Sequence, residues 1–330
     1  MPRRLVLLLL SLPLLAATAC GSGGAATCDA NRGHCGSIRI TLQLDWYPNP
    51  DHVGLFTAID RGFFRRRGFF VTTRQPSDVS DPIKLVAAGR ADLGISYEPE
   101  LFFAQQRHAP VVAVAAMVPT ALNSVIVPGA AGVRTPADLR GMTIGVDGSA
   151  STSAYLDTML RSVGLDPSRD VHVVDVGFNL LPALLAGKVD AIAGGFQNIE
   201  GAQLSVRGLR PVVFPVDRYG VPSYDELVVI ANSDRLRTDA GYRGIVRGFV
   251  AALTVGTRYA KAHPDAALAA MRAHASPDYR GVLETSVPET LRLLDTTALD
   301  PRAWDAFGRW MMAQGLLTSP PHGAALVARP

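Results

Sequence analysis

The chain has 330 residues, with 32 Lys and Arg against 29 Asp and Glu and a formal net charge of +3. So small an excess argues against a nucleic-acid partner, which calls for a basic stripe. The length allows a well-buried core and, by the usual size of domains, two of them.

In chain order, residues 1–19 have the pattern of an export signal: Arg3 and Arg4, an apolar run from Leu5 to Leu15, then Ala17, Thr18 and Ala19 before Cys20. The run is too short to span a bilayer and ends in small residues. It resembles a lipobox, in which the cysteine becomes the first residue of the mature protein and carries acyl chains; Ala17 stands where Leu or Val is usual. On this reading residues 1–19 are a signal peptide and residues 20–37 a lipidated linker, with Cys20 anchoring the chain on the outer face of the cell membrane. Loss of Arg3 and Arg4 leaves 30 basic residues against 29 acidic ones. Gly21 to Ala26 is a flexible spacer. Cys28 and Cys35 are the remaining cysteines, and outside the cell such a pair most simply forms a disulfide around a small loop. Two thiols and His34 are too few ligands for zinc, and no metal site is expected.

Ile38 to Leu44 alternates apolar and polar positions as a half-buried strand does, and Pro48 and Pro50 forbid its continuation. Asp45, Trp46, Tyr47, Asn49, Asp51 and His52 therefore crowd the carboxyl end of a strand, where open α/β sheets bind ligands. The plain alternative makes Trp46 and Tyr47 core aromatics beside a turn. Further strands are predicted at 69–74, 91–97, 111–116, 141–146 and 171–175, with helices around 82–89 and 152–163 between them. This rhythm gives a mostly parallel sheet covered on both faces. Leu85 to Ile95 and Leu184 to Ala193 echo each other: a helix ends in Gly, a basic residue follows, and an Asp opens a buried strand. The echo suggests two similar lobes. After Asn232 the pattern is helical at 242–262, 265–273, 287–295 and 302–314. The first lobe is thus discontinuous, 38–123 plus a mainly helical 232–330, and encloses a second lobe at 128–226. Strands near 124–127 and 227–231 are the expected hinges.

The segments Leu44 to Leu55, Asp60 to Phe64, Leu139 to Val146, Gly194 to Glu200 and Tyr219 to Val228 resemble a family of substrate-binding lipoproteins of ABC importers for thiamine pyrimidine precursors. The resemblance covers essentially all of 38–315. It implies an α/β type II periplasmic-binding-protein fold, two βαβ lobes joined by two hinge strands, with C-terminal helices. It further implies a monomer that captures an aminopyrimidine without a cofactor and delivers it to a permease. Trp46 on one lobe and Phe178 or Phe196 on the other could hold a flat ring. Glu200, Asn198, Asn49 and His52 offer hydrogen bonds to an exocyclic amine and ring nitrogens, Glu200 foremost because it opens a helix after a buried strand. Asp45, Tyr47, Tyr97, Glu98 and Ser149 complete the candidate set. Each has a structural alternative: Glu200 decorating a helix, Phe178 in the core, Ser151 as a mere N-cap, Glu98 solvated. Arg65-Arg66-Arg67 reads as an exposed helix end.

No nucleophile elbow, zinc-protease motif, phosphate loop or dinucleotide fingerprint occurs, so no catalytic residue is assigned. His172 is expected as a satisfied strand histidine. The eukaryotic pyrimidine synthases, which use iron and pyridoxal phosphate, share the resemblance but carry a cysteine cluster near 195–199, where this chain has Gly195-Phe196-Gln197-Asn198-Ile199. Riboflavin or a sulfonate is the alternative ligand.

Overall fold

The computed structural model describes residues 37–129, 132–177 and 179–329. The expected signal peptide and nearly all of the linker, with Cys20, Cys28 and Cys35, lie outside the described residues, as does Phe178. Ten strands form two sheets of five. The first contains β1 (Ile38–Gln43), β2 (Phe69–Arg74), β3 (Leu93–Ser96), β4 (Val111–Val118) and, after a long excursion, β10 (Leu227–Asn232), in the order β2-β1-β3-β10-β4. The second contains β5 (Asn123–Val127), β6 (Thr143–Val146), β7 (His172–Asp175), β8 (Ala191–Phe196) and β9 (Val212–Pro215), in the order β7-β6-β8-β5-β9. In each sheet the first three strands are parallel, and the fourth is antiparallel to both neighbours. This is the type II periplasmic-binding-protein architecture, with mixed rather than purely parallel sheets.

The echoed segments do the same work in both lobes. Asp92 Oδ2 accepts the Thr41 N–H at 2.8 Å, and Asp190 Oδ2 accepts the Thr143 N–H at 2.8 Å. Each carboxylate ties the third strand in the order of its sheet to the second. The preceding Gly89 and Gly187 have φ of 67° and 65°, the left-handed turn that ends a helix and lets the chain enter the strand.

Eleven α-helices cover the sheets: α1 (Val53–Asp60), α2 (Asp81–Ala87), α3 (Glu98–Gln106), α4 (Ala150–Ser162), α5 (Leu180–Leu185), α6 (Ala202–Ser205), α7 (Ser233–Thr238), α8 (Ala240–Ala262), α9 (Pro264–His274), α10 (Leu283–Leu293) and α11 (Pro301–Ala313) among the described residues. Helices α8 to α10 pack on the first sheet, with Phe249, Met271 and Val287 sharing a core with Leu42, Leu93 and Val229. Helix α11 lies behind the crossings. Its Phe307 stacks on Tyr224 at 4.8 Å and its Trp310 on Tyr155 of α4 at 5.6 Å, while its Trp304 packs against Phe102 of α3 at 6.0 Å. It therefore packs against both lobes.

The chain passes between the sheets at 119–122 and again at 216–226. Strands β5 and β10, expected as the hinges themselves, are paired on both edges inside one sheet each. The two passages are tied by Glu226, whose Oε2 accepts from Leu122 N–H at 2.7 Å, Asn123 N–H at 3.1 Å and Tyr224 Oη at 2.9 Å. His172 differs from expectation: β7 is an edge strand, and the imidazole is exposed.

The small residues in α1 and α8 set how closely the first-lobe motif is held. A Cβ on Gly54 would lie 2.5 Å from Thr257 Oγ1, and one on Gly256 would collide with Ala58 and lie 2.7 Å from the Gly54 carbonyl oxygen. Gly256→Ala should push α1 from α8 and cost about 1–3 kcal/mol as overpacking does. A urea midpoint equal to wild type would contradict this.

Candidate functional site

The carboxyl ends of β1, β3, β6 and β8 face the seam between the lobes, and most of the candidate residues stand there. Leaving β1, the chain buries Asp45 and then turns sharply at Pro48 and Pro50 into a single 3-10 turn, Pro50–His52. Asn49 caps that turn: its Oδ1 accepts from Asp51 N–H at 2.8 Å, and its own N–H donates to His52 Nδ1 at 3.2 Å. With Nδ1 accepting, Nε2–H is left to donate to Asp45 Oδ1 at 2.9 Å. Tyr97 Oη donates to Asp45 Oδ2 at 2.7 Å. Burial alone would raise the Asp45 pKa, but His52, Tyr97 and its own backbone N–H outweigh it and hold the carboxyl below its ordinary value. Asn49 and His52, expected as donors to a ligand, thus spend these groups on the turn, and His52 is fully enclosed.

Trp46 and Tyr47 remain at the surface of the cleft. Tyr47 is 49% exposed and meets Trp46 edge-on, with centroids 6.0 Å apart. The Trp46 indole N–H donates to Tyr279 Oη at 2.9 Å, and the Ser276 N–H donates to the Pro48 carbonyl at 2.9 Å. The turn after α9 therefore backs the aromatic loop. Burial raises the Tyr279 pKa, and the nearby Glu200 and Asp51 carboxyls raise it further.

From the second lobe, β8 runs into a single π turn, Gln197–Gly201, before α6. Such turns are rare and concentrate at functional sites. Glu200 is half-buried there; its Oε2 accepts from Phe196 N–H at 2.7 Å. Burial pushes its pKa up to about 7, against the lowering effect of that bond. Phe196 packs on the core of the first lobe. Asn198 crosses the seam outright. Its Nδ2 donates to Asp51 Oδ1 at 2.5 Å and to Thr290 Oγ1 of α10 at 2.8 Å, and its carbonyl accepts from Ser286 Oγ. Asp51 Oδ2 and Asn198 Oδ1 are left buried and without partners. Two buried acceptors without donors are a costly arrangement. A proton on Asp51 turns one of them into a donor, and burial raises the Asp51 pKa to about 7.

Glu98 and Ser149 are engaged by the fold itself. Glu98 is not solvated: it is 1% exposed, its Oε2 accepts from Asp225 N–H at 2.7 Å in the second crossing, and its Oε1 is buried without a partner. Ser149, not Ser151, caps α4, accepting from Thr152 N–H at 3.1 Å. Among the described residues no group of three or more His, Cys, Asp and Glu could hold a metal, and no helix is long and apolar enough to cross a membrane. A hollow of about 400 Å³ opens beside the seam, sharing Gln197, Asn198 and Gly201 with the π turn but including neither Trp46 nor Glu200.

Residues that sequence reasoning missed are Asp51 as a cross-lobe contact, Tyr279, Thr290 and Glu226. Tyr279 lies 233 positions from its partner Trp46, with no local pattern to link them.

The model of a family described as NMT1/THI5 like matches residues 49–267. The chain belongs to this family. It is 35% identical over 282 residues to a Haemophilus influenzae protein named for thiamine biosynthesis, covering 84% of this chain and 88% of that one. It is 33% identical over 291 residues to the formylaminopyrimidine-binding protein of Halalkalibacterium halodurans, covering 85% and 87%. In structure it is similar to the alkanesulfonate-binding protein SsuA from Xanthomonas axonopodis pv. citri, with a TM-score of 0.68 at 19% identity over 88% of this chain and 98% of that one. That likeness concerns the fold alone.

The Asp51 geometry sets a pH dependence whose sign follows from linkage. A carboxyl with a folded-state pKa near 7 and an ordinary value of 3.8 stabilises the folded form fully at acid pH. The contribution falls as pH rises through that interval and is gone above it. Asp51→Asn keeps an amide that can pair with Asn198 but does not titrate. The melting temperature of the variant relative to wild type should therefore climb between about pH 4 and about pH 7. A constant difference would show that Asp51 is not the titrating group.

Proposed function

We propose that this protein is the extracytoplasmic substrate-binding component of an ABC importer. It captures an aminopyrimidine precursor of thiamine, 4-amino-5-hydroxymethyl-2-methylpyrimidine or its formylaminomethyl relative, between its lobes and passes it to a permease. It works as a monomer tethered through Cys20. The single observation that carries the reading is that Trp46 of one lobe donates to Tyr279, whose hydroxyl in turn feels the charge of the Glu200 carboxyl of the other. A flat ring needs an aromatic face, and an exocyclic amine needs a fixed acceptor. Asp51 and Asn198 supply direct contact between the lobes, as closure around a ligand requires.

Electrostatics separates the alternatives. A sulfonate brings a negative charge, yet Asp45, Asp51 and Glu200 surround the seam, and no Lys or Arg is ion-paired with them among the described residues. Flavin would need a longer cleft than one crossed by Asn198. The synthase reading requires a lysine to hold pyridoxal phosphate as an imine. This chain has three lysines. Lys84 is exposed on α2, Lys188 is exposed in the turn before β8, and Lys261 donates to the Leu294 carbonyl. None stands beside Trp46 or Glu200.

Titration calorimetry with the aminopyrimidine tests the site. Trp46→Ala should weaken binding by about 1–3 kcal/mol, the scale of stacking on an aromatic side chain, and wild-type tryptophan emission should change on binding. Glu200→Gln should weaken it by about 1.5–3 kcal/mol, the scale of a charged hydrogen bond, and narrow the preference over the oxo analogue. Unchanged affinity in both variants would remove the site.

A further inference from the structure

The end of the first lobe remote from the cleft carries a cluster that ligand capture does not use. Strand β1 runs from this end to the seam, starting where the Ile38 N–H donates to the Gly68 carbonyl at 2.8 Å. Gly68 follows Arg65, Arg66 and Arg67, all exposed in a 3-10 turn. Arg61 lies one turn earlier, and Arg39 faces Phe70 across the β1–β2 pair. Among the described residues none of these five arginines is ion-paired with a carboxylate. The nearby Asp60 is bonded to His274 Nε2 at 2.7 Å. Several of the guanidinia are held by rings: Arg66 over Phe63 at 4.6 Å, Arg61 over Tyr259 at 5.2 Å and Arg39 over Phe70 at 5.5 Å. Arg66 Nη1 also donates to the Arg61 carbonyl at 2.9 Å, and the other N–H groups of the stacked guanidinia are held ready for a phosphate at little further entropic cost. Between the charges two apolar side chains stand in solvent, Ile38 at 37% and Phe70 at 48% exposure.

We propose that this end, formed by Ile38, Arg39, Arg61, Arg65, Arg66, Arg67 and Phe70, docks on the anionic phospholipid headgroups of the membrane. Guanidinium groups interleaved with exposed apolar and aromatic side chains fit an interface of phosphates over hydrocarbon. Position supplies the second argument and rests on the Cys20 tether proposed above. Ser37, the first described residue, adjoins Ile38 at this face. The proposed anchor, Cys20, stands seventeen positions before Ser37 and so ties this face to the bilayer. Docking here leaves the cleft at the opposite end of β1 clear of the headgroups.

The test uses the chain from residue 20 with Cys20→Ser, so that no acyl group holds it, and vesicles of phosphatidylcholine with or without phosphatidylglycerol. Ser37–Pro330, the compact unit of the fold, is intact in that chain. It should co-sediment with the anionic vesicles only and be released by high salt. Arg65→Glu, Arg66→Glu and Arg67→Glu together should lower partition roughly tenfold or more, with the melting temperature unchanged. Neutral replacements at the same positions, Arg→Gln, should give an intermediate loss. Equal partition of wild type and variants, or no preference for phosphatidylglycerol, would overturn the proposal. So would arginine variants that sediment normally but import poorly in cells, which would assign the cluster to the permease. Vesicle binding as expected with no aminopyrimidine binding would fail the functional reading and leave this one standing.

Discussion

Among the described residues, the seam between the lobes is built on carboxyl groups that form no ion pair with a lysine or arginine. Asp45 is bonded to His52 and Tyr97, Asp51 to Asn198, Glu98 to the Asp225 backbone, Glu200 to the Phe196 backbone, and Glu226 to Leu122, Asn123 and Tyr224. Neutral donors stabilise a buried carboxylate less than a cation does, so burial dominates. The pKa values of Asp51, Glu200 and Glu226 rise to about 7, while Asp45, with a donor on each oxygen, stays low. Such a seam favours ligands rich in N–H donors and disfavours anions. It thereby selects a ligand class before any one contact is considered.

The same groups govern movement. Glu226 binds one passage of the chain to the other, and the aromatic stack of α11 on Tyr155 and Tyr224 backs them. On the proposed reading the lobes pivot beside that stack. At the mouth, Asn198 holds Asp51 and Thr290 across the seam, so closure is written in a few polar contacts that a change of protonation or a ligand can bias.

Much of this architecture was legible in the sequence because it rests on local rules. The alternation of Ile38 to Leu44, the proline stop and the two Gly-basic-x-Asp echoes each encode a strand, a turn or a cap. The site was legible in part. Trp46 and Glu200 sit at strand ends by the same rules, but whether a polar side chain faces a ligand or its own turn is decided at longer range. Asn49 and His52 were drawn into the capping of their own turn, and one oxygen of Glu98 was taken by Asp225, far away in the chain. Ser149 rather than Ser151 caps α4, a shift of two residues that periodicity cannot resolve. Tyr279 and Thr290 come from helical segments whose sequence pattern reports only their apolar faces.

The central claim is that these lobes close on an aminopyrimidine. Its most direct test is calorimetric titration of the unaltered chain, near neutral pH, with 4-amino-5-hydroxymethyl-2-methylpyrimidine, its formylaminomethyl relative and an alkanesulfonate in parallel. The account predicts saturable one-to-one binding of at least one aminopyrimidine and none of the sulfonate. Saturable binding of the sulfonate, with silence from both pyrimidines, would contradict it.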